Sequence, residues 1–459
     1  MPLTFTSLPL RPELHEALEQ VGYLEMTPIQ AAALPPVLEG LDVTGQASTG
    51  SGKTAAFGLA LLQATDATRP HTQAMVLCPT RELADQVAAE LRGLAQRITN
   101  TRVLTLCGGH SLQAQRKALT GAAHIVVGTP GRIGKHLRTG HLDLEVLRTL
   151  VLDEADRMLD MGFIDEVEAI VEHCPKQRQT LLFSATFPDA IEALSARVQR
   201  QPQRVSVEER VAPELLRQLV YSCESGDRNQ LLVDLLAHHR PARALVFCET
   251  RRDCDRIAFF LSGRGATALA LHGQMEQRDR DEVLMRFTNG SASVLVATNV
   301  AARGLDIPAL PAVIIAELSP DPESHLHRIG RTGRAGETGL AMSLVSSPNE
   351  QARLERIEAY LGHPIPPGEP LPRGGGLSFL EPPNRTLLIH SGRKDKLRRG
   401  DVLGALLKDA GLPAEAVGRI DLMDRTCAVA IAREHASAAL SYLHAGKIKK
   451  RRVRARMLG

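Results

Sequence analysis

Short apolar runs separated by helix-length stretches constrain the fold of this chain more than any other feature. Residues 74–78, 125–127, 150–152, 181–183, 244–248, 294–297 and 313–315 are strand-like, and several are apolar throughout. A strand without polar alternation must be covered on both faces. Such strands, alternating with helices, predict an α/β fold with parallel sheets and right-handed crossovers. The pattern weakens across residues 201–213, which hold Pro202 and Pro213, and restarts at Leu219. That break separates two α/β domains, read as residues 1–207 and 214–361. A second break, residues 362–383, carries Pro364, Pro366, Pro367, Pro370, Pro372, Pro382, Pro383 and three consecutive glycines. Pro-rich chain rises ~3.1 Å per residue, so as a free tether this linker would reach roughly 60 Å.

Beyond the linker, residues 384–459 read as strand 386–389, helix 401–410, strands 418–422 and 427–432, helix 435–444 and a basic strand 448–457. That βαββαβ order fits a small α+β domain of RNA-recognition type. Charge marks the same boundary. Residues 384–459 hold 17 Lys and Arg against 7 Asp and Glu, a net of +10, whereas the rest of the chain carries −7. A basic module on an acidic body points to a polyanion partner. No run nears the ~18–20 apolar residues of a membrane span, and no basic start precedes an apolar leader, so a soluble, cytoplasmic protein with no membrane partner is expected. The seven cysteines are scattered without a C-x-x-C pair, which suits reduced thiols and argues against zinc.

The segment Ala47-Ser48-Thr49-Gly50-Ser51-Gly52-Lys53-Thr54 carries the chemistry. Glycines let backbone N–H groups approach phosphates, Lys53 can reach β and γ oxygens, and Thr54 can ligate Mg²⁺. Ala47 stands where the generic pattern has its first glycine. The apolar run ending in Asp153-Glu154 supplies the other half of an ATP-hydrolysing site. Asp153 would hold Mg²⁺, and Glu154 would orient and deprotonate the attacking water.

With Asp153-Glu154-Ala155-Asp156 in view, residues 5–345 resemble the DEAD-box family of ATP-dependent RNA helicases. The resemblance implies two tandem RecA-like parallel-sheet domains followed by the small α+β RNA-recognition-type domain. Tyr23, Thr27 and Gln30 look like the family's Q motif, with Gln30 on the adenine edge and Phe5 stacked on the base. His327-Arg328-Ile329-Gly330-Arg331-Thr332-Gly333-Arg334 resembles its motif VI, which implies that Arg331 and Arg334 are arginine fingers; if helical, they share one face. Asp306 would bind the ribose. A catalytic site built from two domains is complete only when they close, so hydrolysis is gated by whatever favours closure.

Other segments match the family's RNA contacts: Pro79-Thr80-Arg81, Gly108-Gly109, Thr129-Pro130-Gly131-Arg132, Gln277 with Arg280, and Thr298. These groups suit phosphates and 2′-hydroxyls and do not read bases. Ser184 and Thr186 match the family's motif III and would couple the carboxylates to motif VI. Two residues depart from the family: Asn299 stands where Asp is usual, and Glu249 where Asn is frequent.

Residues 392–406 resemble the RNA-binding domain of the DbpA-type subfamily. That resemblance implies a hairpin of large-subunit ribosomal RNA and pre-ribosomal particles as partners; a monomer is expected. Aliphatic strand 427–431 leaves no aromatic platform for bases, so Arg393, Lys394, Lys396, Arg398 and Arg399, with Lys447, Lys449, Lys450, Arg451 and Arg452, are the candidate contacts. The expected activity is RNA-dependent hydrolysis of ATP, with Mg²⁺, and local separation of short duplexes. The alternatives are a general helicase in RNA decay or cold adaptation, and an ATP-dependent RNA clamp or annealer without productive unwinding.

Overall fold

The computed structural model describes residues 3–47, 51–109, 111–121, 123–207, 215–299, 310–333, 338–372, 376–449 and 451–458. They form two compact units, one up to residue 207 and the other from 215 onward.

In the first unit, β1 (Val43–Gln46), β2 (Ala74–Leu77), β3 (Val103–Leu106), β4 (Ile125–Gly128), β5 (Thr149–Asp153), β6 (Gln179–Ser184) and β7 (Gln203–Ser206) form one sheet. Its order is β3-β4-β2-β5-β6-β1-β7, and every pairing is parallel. Alternation explains why β2 lacks polar residues. Val76 faces a core with Leu14, Phe57 and Phe183, while Met75 and Leu77 face a second core with Ile133 and Leu152. β7 falls inside the stretch read as a link. As an edge strand it buries only Val205 of its four residues, so it shows no apolar run.

The second unit begins with β8 (Leu216–Ser222), β9 (Ala244–Cys248), β10 (Ala268–Leu271), β11 (Val294–Thr298), β12 (Ala312–Ile315) and β13 (Gly339–Val345). These make a parallel sheet in the order β10-β11-β9-β12-β13-β8. The Pro-rich segment does not leave this sheet as a free tether. Val220 N–H donates to Pro366 O (3.0 Å) and Gly368 N–H to Val220 O (2.8 Å), so the segment runs beside β8. Gly368 lies against the Tyr221 ring, where a Cβ has no room. Leu377 and Leu380 are then buried in the same core as Val246 and Ile314.

The last part of this unit is an antiparallel sheet of β14 (Asn384–Ile389), β15 (Val417–Leu422), β16 (Cys427–Ala432) and β17 (Ala455–Leu458), ordered β15-β16-β14-β17. Leu387, Ile389, Val429 and Ile431 pack under the helix Ala436–Ala445. Thr386 points to the opposite face, as alternation requires. There its hydroxyl meets Ser291 Oγ at 2.5 Å, while Asn384 Nδ2 donates to Asn289 O at 3.0 Å. Arg456 pairs with Glu282 at 2.8 Å. The small domain is therefore seated on the end of the helix Gln277–Thr288.

Two expected elements change. The basic strand expected over 448–457 is not continuous: Ile448 bridges Arg451, Lys449 sits at φ 53°, and pairing begins only at Ala455. A residue at positive φ, as Lys449 is, leaves the extended region and interrupts a strand. The helix expected over 401–410 runs Arg399–Gly404 and widens into a π turn over Ala405–Asp409.

Candidate nucleotide and RNA sites

Of the expected nucleotide-site residues, Ala47, Asp153 and Glu154 with Ser184 lie at the carboxyl ends of β1, β5 and β6 of the first unit, where open parallel sheets bind ligands. Ser48, Thr49 and Gly50 lie outside the described residues, as do Asp306, Arg334 and Lys450. Ala47 and Ser51 are buried, Gly52 turns left-handed (φ 92°), and Lys53 opens the helix Lys53–Ala64. Thr54 follows it in the same first turn. Lys53 Nζ donates to Ala47 O at 2.9 Å, which folds the lysine back across the loop.

The Q-motif side is tied to that loop. Gln30 accepts from Thr27 N–H (2.8 Å) and donates through Nε2 to Gly52 O (3.0 Å). Each end of the amide retains one further hydrogen-bonding position. Phe5 is buried with its ring stacked on Tyr23, centroids 6.3 Å apart. The Tyr23 hydroxyl turns to Glu90 (3.3 Å), and burial together with that carboxylate pushes its pKa up to about 12.

Asp153 closes β5 with 3% of its surface exposed, and its Oδ1 has no hydrogen-bond partner among the described residues. Burial raises its pKa to about 7 against the pull of Lys53, with Glu154 adding to the rise. An unsatisfied buried carboxylate oxygen beside a phosphate loop suits a hard divalent cation. Glu154 adopts a left-handed conformation (φ 54°), rare for a residue with a side chain. Its Oε2 meets Arg157 Nη1 at 2.6 Å, and both side chains are almost wholly buried. No sequence motif marks Arg157, although its place three residues after Glu154 puts it within reach of that carboxylate. Ser184 Oγ accepts from Asp156 N–H (3.1 Å), and Thr186 donates to Asp156 Oδ2 through N–H (3.2 Å) and Oγ1 (3.3 Å). The motif III hydroxyls thus hold Asp156 in place, with no bond from either to Asp153 or Glu154 among the described residues.

In the second unit, the helix Pro322–Ile329 ends before Arg331. Gly330 caps it, and Thr332 bridges to Leu310, so Arg331 is not helical; Arg334, its expected partner on a shared face, lies outside the described residues. Arg331 is buried. Arg328, with 1% of its side chain exposed, gathers both departures from the family. Its Nη2 meets Glu249 at 2.5 Å and its Nε meets Asn299 Oδ1 at 3.4 Å, while Nη1 donates to Glu317 O at 2.8 Å.

The expected RNA-contacting segments of the first unit converge on the ends of β2, β3 and β4. Thr80 caps the helix Arg81–Leu94 through Leu83 N–H, with Pro79 just before it. The Arg81 guanidinium fills the space over Gly108, and Gly109 is left-handed (φ 79°). Thr129 and Pro130 start the helix that carries Arg132. In the second unit Gln277 opens the helix Gln277–Thr288 and bonds Asp281, Arg280 reaches His272 O at 3.4 Å, and Thr298 ends β11.

In the small domain the two basic segments are neighbours. Lys449 Nζ reaches Lys396 O (3.4 Å) and Asp401 (3.3 Å), and Arg451 reaches Asp395 O (3.5 Å). Lys394 pairs with Asp424 at 2.9 Å. The seat of Thr386 on Ser291 occupies part of the sheet face on which an RNA-recognition domain would stack bases.

Comparison with known proteins decides the family. Residues 27–194 match the DEAD/DEAH box helicase model, 227–336 the helicase conserved C-terminal domain, and 386–457 the DbpA RNA binding domain. The chain is 51% identical to the ATP-dependent RNA helicase DbpA of Escherichia coli over 441 residues, 96% of each protein. This chain belongs to the DEAD-box ATP-dependent RNA helicase family. It is also 45% identical to the DEAD-box helicase CshA of Geobacillus kaustophilus, over 77% of this chain and 76% of that one. The Saccharomyces cerevisiae Dbp5 structure bound to RNA and ADP BeF3 shares 29% identity with a TM-score of 0.72, covering 79% of this chain and 95% of that one. The protein is thus an RNA-dependent ATPase and helicase of the DbpA type, with two RecA-like domains and an RNA-binding domain. No helix among the described residues is long and apolar enough to cross a membrane.

Proposed function

We propose that this DEAD-box helicase separates short RNA duplexes next to a hairpin of large-subunit ribosomal RNA, as a step in ribosome assembly. The observation that carries the reading is the basic DbpA RNA binding domain at residues 386–457, fixed to a helicase domain by the Thr386–Ser291 and Arg456–Glu282 contacts. RNA held by that domain is presented to the helicase at high effective concentration. Arg393, Lys394, Lys396, Arg398, Arg399, Lys447, Lys449, Lys450, Arg451 and Arg452 are its proposed contacts, in the cytoplasm, on pre-ribosomal particles, by a monomer.

In the proposed ATP cycle, Phe5, Tyr23, Thr27 and Gln30 select adenine, Asp306 holds the ribose, and residues 47–54 hold the phosphates. Thr54 and Asp153 would hold Mg²⁺, which supplies charge neutralisation of the phosphates. Glu154 takes the proton of the attacking water, and Arg331 with Arg334 stabilises charge on the transferred phosphoryl group, a contribution worth ~10³–10⁵ in rate. Pro79, Thr80, Arg81, Gly109, Thr129, Pro130, Arg132, Gln277, Arg280 and Thr298 grip the RNA backbone. Stacking costs ~1–2 kcal/mol per step in DNA duplexes, so one cycle opens only a short helix.

ATPase activation of the full chain tests the reading. At physiological salt, fragments of large-subunit ribosomal RNA should half-saturate at a concentration at least about tenfold below that of unrelated hairpins of equal length and charge. Equal concentrations would favour a general helicase in RNA decay or cold adaptation.

A further inference from the structure

We propose that Gln115 is the positioning residue of the RNA grip in the first unit, locking Arg132 and the Cys107–Gly109 turn into one rigid receptor for backbone phosphates. The inference rests on the reading of Arg132 and Gly108–Gly109 as RNA contacts. Gln115 lies on the helix Leu112–Leu119 with 6% of its surface exposed. Its Oε1 accepts from Arg132 Nη1 at 2.7 Å and meets His136 Nε2 at 3.0 Å, and its Nε2 donates to Cys107 O at 2.9 Å. The amide cannot be reversed. Arg132 only donates and Cys107 O only accepts, so the oxygen must face the guanidinium. His136 is then a donor at Nε2. Burial foremost, then the nearby Arg132 charge, lowers its pKa and favours the neutral ring.

One buried amide thus joins three elements: the turn after β3, its own helix, and the helix Pro130–Arg138. Arg81 packs over Gly108 on the same turn. Exposed arginines lose side-chain entropy when they grip a phosphate, and a guanidinium already fixed has less to lose. Glutamine is needed because the site demands an acceptor for two donors and a donor for one carbonyl. Glutamate keeps the first and sets two oxygens against each other at Cys107. Methionine keeps the shape and loses both.

The test is RNA-stimulated ATP hydrolysis by the full chain over a poly(U) titration. Gln115→Met should raise the half-saturating RNA concentration about 5–20-fold, the effect of one or two lost hydrogen bonds to a charged group. The rate at saturating RNA should fall less than threefold, and half-saturation by ATP should stay within twofold. Gln115→Glu, which still holds Arg132, should raise the RNA concentration about 2–5-fold and reads the question if the methionine variant does not fold. Adding Arg132→Ala to Gln115→Met should cost less than the product of the single effects. If Arg132→Ala weakens RNA while both Gln115 variants bind it normally, the positioning role is wrong and the RNA reading stands. If Arg132→Ala itself leaves RNA half-saturation unchanged, the RNA reading of this patch has failed. Equal weakening for ATP and RNA would leave Gln115 a fold residue only, and would overturn the proposal.

Discussion

Arg328 offers the sharpest energetic test, because both departures from the family meet on it. Its guanidinium is buried, and Glu249 is its carboxylate partner at 2.5 Å. Breaking a buried ion pair from one side costs ~3–5 kcal/mol when the remaining charge is left alone. Here the charge is not alone: Glu317 O at 2.8 Å and Asn299 Oδ1 at 3.4 Å remain. Glu249 is also 34% exposed, so part of its attraction is screened. Glu249→Ala should therefore cost about 2 kcal/mol, within a range of about 1.5–3. Spread over a unit of this size, that lowers the melting midpoint by about 4–8 °C. Asn299→Asp puts a carboxylate beside Nε, and in the Glu249→Ala background it should return at least half of the loss. Urea unfolding of the four proteins, fitted for the second unit, measures the cycle. A Glu249→Ala cost under about 0.5 kcal/mol, or additive behaviour of the two substitutions within about 0.5 kcal/mol, would refute the shared-counterion argument.

Three further outcomes follow from the same geometry. Lys53→Ala and Glu154→Gln should both abolish RNA-stimulated hydrolysis, but only Lys53→Ala should weaken ATP in a fluorescent-nucleotide titration, because Glu154→Gln keeps the phosphate contacts. Arg331→Ala should lower the ATPase rate at saturating RNA by about 10³-fold or more while leaving filter-binding affinity for a ribosomal hairpin within twofold. Gly368→Val should destabilise the second unit by about 1–3 kcal/mol in urea, since the Tyr221 ring occupies the space a side chain would need.

The sequence is legible where one local pattern decides the outcome. β2 and β9 are apolar at every position because both faces are covered, and their shortness separates them from buried helices. The helix start at Lys53 and the strand end at Asp153 are legible because a glycine-lysine step and an apolar run closed by paired carboxylates mark such boundaries. β7 is not, since an edge strand that buries Val205 alone looks like loop. Proline content announces that residues 362–383 are extended. It does not say that they lie along β8, a fact set by Tyr221 and by the core that receives Leu377 and Leu380. The end of the helix Pro322–Ile329 is hidden because the following Arg-Thr-Gly-Arg carries no apolar period to lose. Gln115 is the clearest case of what a chain read in one dimension withholds. Its three partners, Cys107, Arg132 and His136, come from two other elements, and only the assembled sheet brings them within reach of one amide. Glu249 and Asn299 look like unrelated departures until Arg328 is seen to touch both.

Strand release from a short RNA duplex joined to a large-subunit ribosomal hairpin tests the central claim most directly. With ATP, the full chain should release the strand. Glu154→Gln should hold the RNA without releasing it. The same duplex joined to an unrelated hairpin should need at least about tenfold more protein for the same rate at physiological salt. Release that proceeds without ATP hydrolysis, or that ignores the hairpin, would contradict the account.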